Sequence, residues 1–309
     1  MAAVSAAPTR KQVSWRTRIL PYLLILPSLL GVLTFTLLPA TRTLIDSTFK
    51  PPRIASGEAT FVGLQNYADL FSNEHYLGSR FTRILGNTLI FGFGTVGISV
   101  PLGLALALLL NRRIRGRGFW RFSFFYPALL PLIGAASIWA FMFSSTVGLI
   151  NTVLRSLGHP GVDWLGNPDQ VLLSILFVDV WKQAGYHMIF FLAGLQNIPA
   201  DVYEAAELDG ASGRQQLVYV TLPLLRRTVL FVLVVALTFA FQTVEQLGAL
   251  GQGNPGDRGN LLLYFIFQNI GERRNWGYTN AMSVMLALIL LVFTITNFVV
   301  LERRRGDER

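Results

Sequence analysis

The sequence predicts an all-α membrane protein with six transmembrane helices, on three observations. The 309 residues are 52% hydrophobic and only 14% charged, where a soluble domain carries about 25% charged residues. The apolar residues gather into runs long enough to cross a bilayer core of about 30 Å. The basic residues stand in short blocks beside those runs, so the +9 net charge marks membrane sidedness rather than nucleic-acid binding. The absence of Cys excludes thiolate metal centres and disulfides.

Residues 1–18 form a basic N-terminal segment with Arg10, Lys11, Arg16 and Arg18 and no acid. The first span is expected at 19–40. Its Pro21, Pro27 and Pro39 predict kinks. The run exceeds a signal-peptide core of roughly 7–15 residues and no small-x-small cleavage site follows, so it reads as a retained helix. Residues 41–83 are polar. Within them, 61–71 is amphipathic and is expected to lie along the membrane surface.

The second span is expected at 84–110. Arg112, Arg113, Arg115 and Arg117 follow it without an acid and mark a cytoplasmic loop. The third span, 120–143, carries Pro127 and Pro131. Residues 144–170 form an external loop. The fourth span, 171–195, contains Asp179, Lys182 and His187. A charged stretch at 199–221 separates it from the fifth span, 222–241, which opens near Arg226 and Arg227. Residues 242–278 form a second external segment with a flexible turn at 251–256. The sixth span, 279–301, precedes a basic tail at 302–309. Six helices with both termini in the cytoplasm put every basic block on one side.

The stretch 199–221 reads as two short helices and a hinge. Asp201 with Glu204 has capping-box spacing, as does Ser212 with Gln215. Asp209-Gly210 is a stop and turn, because Gly accepts positive φ at a helix end. Pro223 stands at the entrance to the fifth span, where a missing N–H costs least.

The chain has no G-x-x-x-x-G-K-[ST], no H-E-x-x-H and no G-x-S-x-G, so no motif for phosphate binding, metallohydrolysis or serine catalysis is present. It reads as a non-enzyme. The informative polar residues lie inside the spans. Asp179 and Lys182 are three apart and can pair on one helix face. Such groups either lock a helix to its neighbours or line a pathway. Thr238, Gln242 and Glu245 at i, i+4 and i+7 form one helical stripe. That stripe reads either as a solvated helix end or as a surface for a polyhydroxylated ligand. Trp139, Trp181 and Tyr186 could offer faces to a sugar ring, or serve as belt and packing aromatics.

These residues resemble the integral membrane subunit of a bacterial ABC importer of the carbohydrate-uptake group, which includes the maltose and glycerol-phosphate systems. The EAA motif of those permeases is matched by Glu204, Ala205, Ala206, then Asp209, Gly210, Ala211, then Leu222 and Pro223. Residues 61–67, Asn87-Thr88-Leu89, Trp139 and Gly148-Leu149-Ile150-Asn151 also fit. Gly251-Gln252-Gly253-Asn254-Pro255 departs from the family's usual Thr-x-Gly-Gly-Pro.

The resemblance implies a type I ABC importer permease fold in the bacterial inner membrane. It implies a heterodimer with a second permease, two partner ATPase subunits that use ATP and Mg, and an extracytoplasmic solute-binding protein or lipoprotein. No cofactor is bound by this chain itself. The EAA stretch would form coupling helices, with Glu204 the principal polar contact and Gly210 the turn. Spans four and five would line the solute pathway. Asp179, Lys182, Gly185, Tyr186, His187, Thr238, Gln242 and Glu245 are its candidate residues. Asp179 and Glu245 would repel a phosphate and only Lys182 would attract one, which favours a neutral or amino sugar over glycerol phosphate or another polar solute. An ion-coupled carrier with Asp179 as proton site is the remote alternative.

Overall fold

The structure is a computed structural model that describes residues 15–52, 57–72, 74–112, 114–272 and 275–303. Arg10, Lys11, Arg113, Arg304, Arg305 and Arg309 of the expected basic blocks lie outside the described residues. The first span begins as α1 (Trp15–Val32), widens into a π turn at Leu33–Leu37 and continues as α2 (Leu38–Asp46). It is longer than expected, since Leu20–Asp46 is apolar and continuous over 27 residues. Pro21 and Pro27 sit inside α1 without ending it. The π turn stands just before Pro39, where the missing N–H disturbs the α ladder.

A two-stranded antiparallel ribbon follows, β1 (Phe49–Lys50) with β2 (Thr60–Phe61). Next comes α3 (Gln65–Phe71), so only part of the expected 61–71 amphipathic segment is helical. The second span is α4 (Gly78–Asn111). The third is two helices, α5 (Arg117–Leu129) and α6 (Leu132–Met142), bent by 99°. Leu130 and Pro131 form the break. A residue before proline is pushed out of the α region, and Leu130 has φ −70°, ψ 138°.

Beyond α7 (Leu149–Ser156) the fourth span is α8 (Val171–Gln196). The charged stretch holds α9 (Ala200–Leu208), α10 (Gly213–Gln215), a π turn at Gln216–Thr221 and α11 (Leu222–Leu224). The fifth span is α12 (Arg226–Phe241), and the Gly213–Leu224 arm meets it at 70°. Pro223 therefore closes the charged arm rather than opening the span. α13 (Glu245–Ala249), α14 (Leu262–Asn269) and α15 (Trp276–Arg303) complete the order.

Among the described residues, three helices are long and apolar enough to cross a membrane, or five if each bent pair counts as one. α8 has 26 residues, a length of about 39 Å at 1.5 Å per residue. Its polar residues keep it from matching the apolarity of the others, so the six-span count rests on taking α8 as the sixth.

α4 is the central helix and contributes to all three cores. Phe81 and Ile84 pack near α3, α14 and α15. Phe91 packs against α6, α8 and α14. Val100 and Leu110 pack with Phe191 and Leu195 of α8 and with Leu225 at the head of α12. The ends of α4 and α8 and the start of α12 thus meet at one end of the bundle. Small residues permit close helix approach in lipid, where packing rather than water exclusion drives association.

At the opposite end, α4 is tied to the loop after α13. Asn87 Nδ2 donates to the carbonyls of Asp257, Arg258 and Asn260 at 2.8, 3.0 and 3.2 Å. Arg83 donates to the Gly256 carbonyl at 3.0 Å.

Candidate functional site

Two features carry chemistry: a cavity within the bundle and the exposed arm between α8 and α12. The cavity measures about 310 Å³ and lies where the end of α5, the start of α6, the middle of α8 and the end of α12 converge. α8 supplies Asp179, Lys182, Gln183 and Tyr186 to its wall, a stripe at i, i+3, i+4 and i+7. α12 and the residues after it supply Phe239, Gln242 and Thr243, while Ala128 and Leu132 come from the broken span.

The break in the third span explains the lysine. A helix end leaves carbonyls without intrahelical partners, and a cation is favoured there. Lys182 Nζ donates to the carbonyls of Pro127, Ala128 and Leu130 at 3.1, 3.2 and 2.6 Å. Asp179 is 1% exposed, and neither of its carboxylate oxygens has a hydrogen-bond partner. The two side chains do not form the ion pair that their spacing allows. The lysine serves α5, and the carboxylate is buried beside the cavity.

Four candidates do not line this cavity. Gly185 is buried in the seam between α8 and α5, where an added Cβ would lie 1.8 Å from the Phe124 carbonyl oxygen. His187 is 1% exposed and faces α4, where a Cβ on Gly103 would lie 2.8 Å from the His187 Cβ. Thr238 back-bonds within its own helix to the Val234 carbonyl at 2.8 Å. Glu245 is exposed and begins α13, because α12 ends at Phe241 and Gln242 leaves helical geometry at φ −100°, ψ 12°. The stripe expected through Thr238, Gln242 and Glu245 is therefore broken, and of the three only Gln242 reaches the cavity.

Of the expected aromatics, Tyr186 lines the cavity with its ring 5.8 Å from Phe239. Trp139 and Trp181 pack edge to face at 5.4 Å, and Trp139 borders a separate apolar cavity with Phe143, Trp164 and Phe177. Sequence reasoning missed Gln183 and Phe239. Gln183 completes a helical stripe with Asp179, Lys182 and Tyr186, and Phe239 stands three residues before Gln242, so both had a periodicity signal.

The exposed arm is built by local rules. Helix α9 ends in a Schellman turn. The Ala211 N–H donates to the Ala206 carbonyl at 2.9 Å and the Gly210 N–H to the Glu207 carbonyl at 3.0 Å. Gly210 takes φ +78°, the left-handed conformation that this motif requires. Ala206 and Ala211, both half-buried, occupy the positions whose apolar contact accompanies the turn.

The next helix is opened by Ser212 and Gln215. The Gln215 Oε1 accepts from the Ser212 N–H at 2.8 Å and from its hydroxyl at 2.7 Å. The first capping box does not form, since α9 starts after Pro199 with no side-chain cap and Asp201 already inside the first turn. Tyr203 and Thr221 join the two halves of the arm through their hydroxyls at 3.1 Å. Glu204, Ala205, Glu207, Asp209 and Pro223 are exposed, and Leu208 is 89% exposed at the tip.

Comparison with known proteins places these features in a wider set. Residues 99–303 match the model of the family described as binding-protein-dependent transport system inner membrane component. The chain is 36% identical to a trehalose/maltose transport system permease of Thermococcus litoralis, over 95% of this chain and 97% of that one. It is 34% identical to an sn-glycerol-3-phosphate transport system permease of Agrobacterium fabrum, over 95% and 98%. It is 31% identical to an arabinooligosaccharides transport system permease of Bacillus subtilis, over 96% and 95%. Among solved structures, a chain of a bacterial ABC transporter that imports the acidic polysaccharide alginate superposes with a TM-score of 0.78. The sequence identity there is 23%, and the match covers 93% of this chain and 97% of that one.

Proposed function

This chain belongs to the family of binding-protein-dependent transport system inner membrane components, and from that membership we propose that it forms half of the pathway of an ATP-driven sugar importer. It is a multi-pass membrane subunit that works with a solute-binding protein. Sugar systems among its relatives carry the assignment of substrate class. A second permease completes the pathway as a heterodimer, and two ATPase subunits bind ATP and Mg.

The observation that supports the ATPase contact is the arm from α9 to α11. It is an exposed helix–glycine–helix with an acidic rim at Glu204, Glu207 and Asp209. It stands at the end of the bundle where α4, α8 and α12 meet. Arg112, Arg115, Arg226 and Arg227 flank that same end, which supports a cytoplasmic orientation. The sequence carries no phosphate-binding loop, so energy must arrive by contact. Glu204, Ala205, Ala206, Asp209, Gly210, Ala211 and Pro223 form the surface that receives the ATPase.

The solute pathway runs through the cavity bounded by Asp179, Lys182, Tyr186 and Gln242. Gln242, Gln183 and the Tyr186 hydroxyl can each donate and accept, and Tyr186 with Phe239 offers an apolar face to a pyranose ring. Reconstitution of the whole complex in proteoliposomes tests the reading. Sugar uptake should require the binding protein and internal or external ATP at the nucleotide-binding side, and should persist when ion gradients are collapsed. Uptake driven by an ion gradient without ATP would reject the importer in favour of a secondary carrier.

A further inference from the structure

The start of α5 carries two arginines that the rest of the chain leaves unsatisfied. Arg117 and Arg121 are one helical turn apart on the same face, and like charges at that spacing repel. A guanidinium has five N–H donors and no acceptor. The Nε of Arg117 and the Nε and Nη2 of Arg121 are buried with no hydrogen-bond partner. Neither side chain joins an ion pair among the described residues. Burying a polar group without a partner is costly, and a second cation alongside adds to that cost. The first turn of α5 contains no acid, and its amide dipoles also favour an anion.

The surroundings say what kind of anion fits. Phe124 and Phe125 follow the arginines on the same face of α5 and pack against the core that holds Phe191 and Leu195 of α8. The pair continues that face toward the loop with Arg112 and Arg115. Phe119, Trp120 and Phe122 are exposed, and Trp120 stacks on Phe124 with ring centroids 6.2 Å apart. Exposed aromatic rings beside arginines at the end of a span mark the headgroup level of a bilayer. Basic pockets between helices on the cytoplasmic side take anionic headgroups, and the planar fork of a guanidinium matches phosphate oxygens.

We propose that Arg117 and Arg121 form a binding site for the phosphate of an anionic phospholipid in the cytoplasmic leaflet, which ties the start of the broken third span to the membrane. The phosphate supplies the acceptors and the negative charge that the pair lacks, and the apolar rings beside it suit the acyl part of the same molecule. The choice of leaflet rests on the cytoplasmic orientation proposed above for this end of the bundle. The site is separate from the solute cavity.

The test uses the complete complex, purified in detergent and stripped of lipid. It is titrated with phosphatidylglycerol, phosphatidylcholine or inorganic phosphate, and binding is read by native mass spectrometry. The wild type should bind phosphatidylglycerol in preference to both. Arg121→Gln should weaken the apparent Kd for phosphatidylglycerol by roughly tenfold or more, the factor equivalent to one hydrogen bond to a charged group. Arg121→Lys, which keeps the charge but loses the fork, should fall between the two. Arg115→Gln, at an exposed arginine of the preceding loop, should leave the Kd unchanged, which separates a site from the general attraction of a basic surface.

An unchanged Kd in both Arg117→Gln and Arg121→Gln would overturn the proposal. So would equal weakening by Arg115→Gln, equal binding of phosphatidylcholine, or displacement of the lipid by inorganic phosphate at matched concentration, which would make the pair a site for a free anion. Loss of the second permease on purification of Arg121→Gln would overturn it as well, by making the pair an interface group. Orientation is tested apart. The chain has no Cys, so Arg115→Cys offers a membrane-impermeant maleimide a single target in this subunit. Labelling in intact spheroplasts would overturn the cytoplasmic reading and the choice of leaflet, while the lipid titration in detergent reads the site whatever its sidedness.

Discussion

Arg80 of α4 and Asp257 of the loop after α13 form a bidentate pair, with Nε to Oδ2 at 2.6 Å and Nη2 to Oδ1 at 3.1 Å. Burial pushes the Asp257 carboxyl up, but hydrogen bonds from Arg80 and Asn260 outweigh it and hold the group below the usual carboxylate range. A carboxyl with a depressed folded pKa contributes stability above its unfolded pKa of about 3.9, and that contribution fades as pH falls through the folded value. Protease sensitivity of loop 251–260 in the purified protein should therefore be flat from about pH 5 to 8 and rise below about pH 4. Arg80→Ala should make the loop sensitive across that whole range. A flat response in both proteins would count against the clamp.

Gly210→Val tests the turn in the arm. A β-branched residue at φ +78° costs about 1–2 kcal/mol in left-handed geometry. Membrane insertion should be normal, because the arm is exposed, while co-purification of the ATPase and uptake should fall together. Wild-type uptake would show that the arm tolerates another turn.

Glu204→Lys addresses the contact itself. The side chain is exposed, so the effect on folding should stay within about 0.5 kcal/mol. Reversal of charge at the ATPase surface should uncouple transport, read as loss of sugar uptake with unchanged protein in the membrane. Full uptake would remove Glu204 from the coupling surface.

Gly185→Ala separates packing from pathway. The added Cβ would sit 1.8 Å from the Phe124 carbonyl oxygen, so α5 must shift, and overpacking of this kind costs about 1–3 kcal/mol. The melting temperature of the solubilised protein should drop, with no specific change in KM. A KM effect at unchanged melting would return Gly185 to the pathway.

These positions also show which parts of the molecule were legible in the sequence. The arm was readable because its rules are local. A glycine after α9 and a Ser–Gln spacing suffice to place the turn and the second helix, and both formed at Gly210 and at Ser212 with Gln215. The first cap failed because Pro199 already sets the helix start. The apolar runs coincide with helices but not with their bounds: Leu20–Asp46 runs on as one apolar stretch, and the third run is broken by 99°.

The cavity was less legible, because it depends on where helices stop and on what faces them. Projecting a stripe from Thr238 to Glu245 assumed a helix that ends at Phe241. Pairing Asp179 with Lys182 assumed that the nearest opposite charge wins, whereas the 99° break in the third span supplied three carbonyl oxygens in its place. The sequence places Pro127 and Pro131 in the third span with no break expected; the partner of the freed carbonyls came from another span, 52 or more residues along the chain.

The chain has three lysines, Lys11, Lys50 and Lys182, and the two in the described residues are both engaged. Lys182 is capped by carbonyls, and Lys50 pairs with Asp69 at 2.7 Å. Amine-directed cross-linkers will therefore report few neighbours through the described residues of this subunit, however close those neighbours are. Carboxyl-directed reagents suit it better, because Glu204, Glu207 and Asp209 are exposed on the arm and would tag the contact through which the energy of ATP is expected to enter.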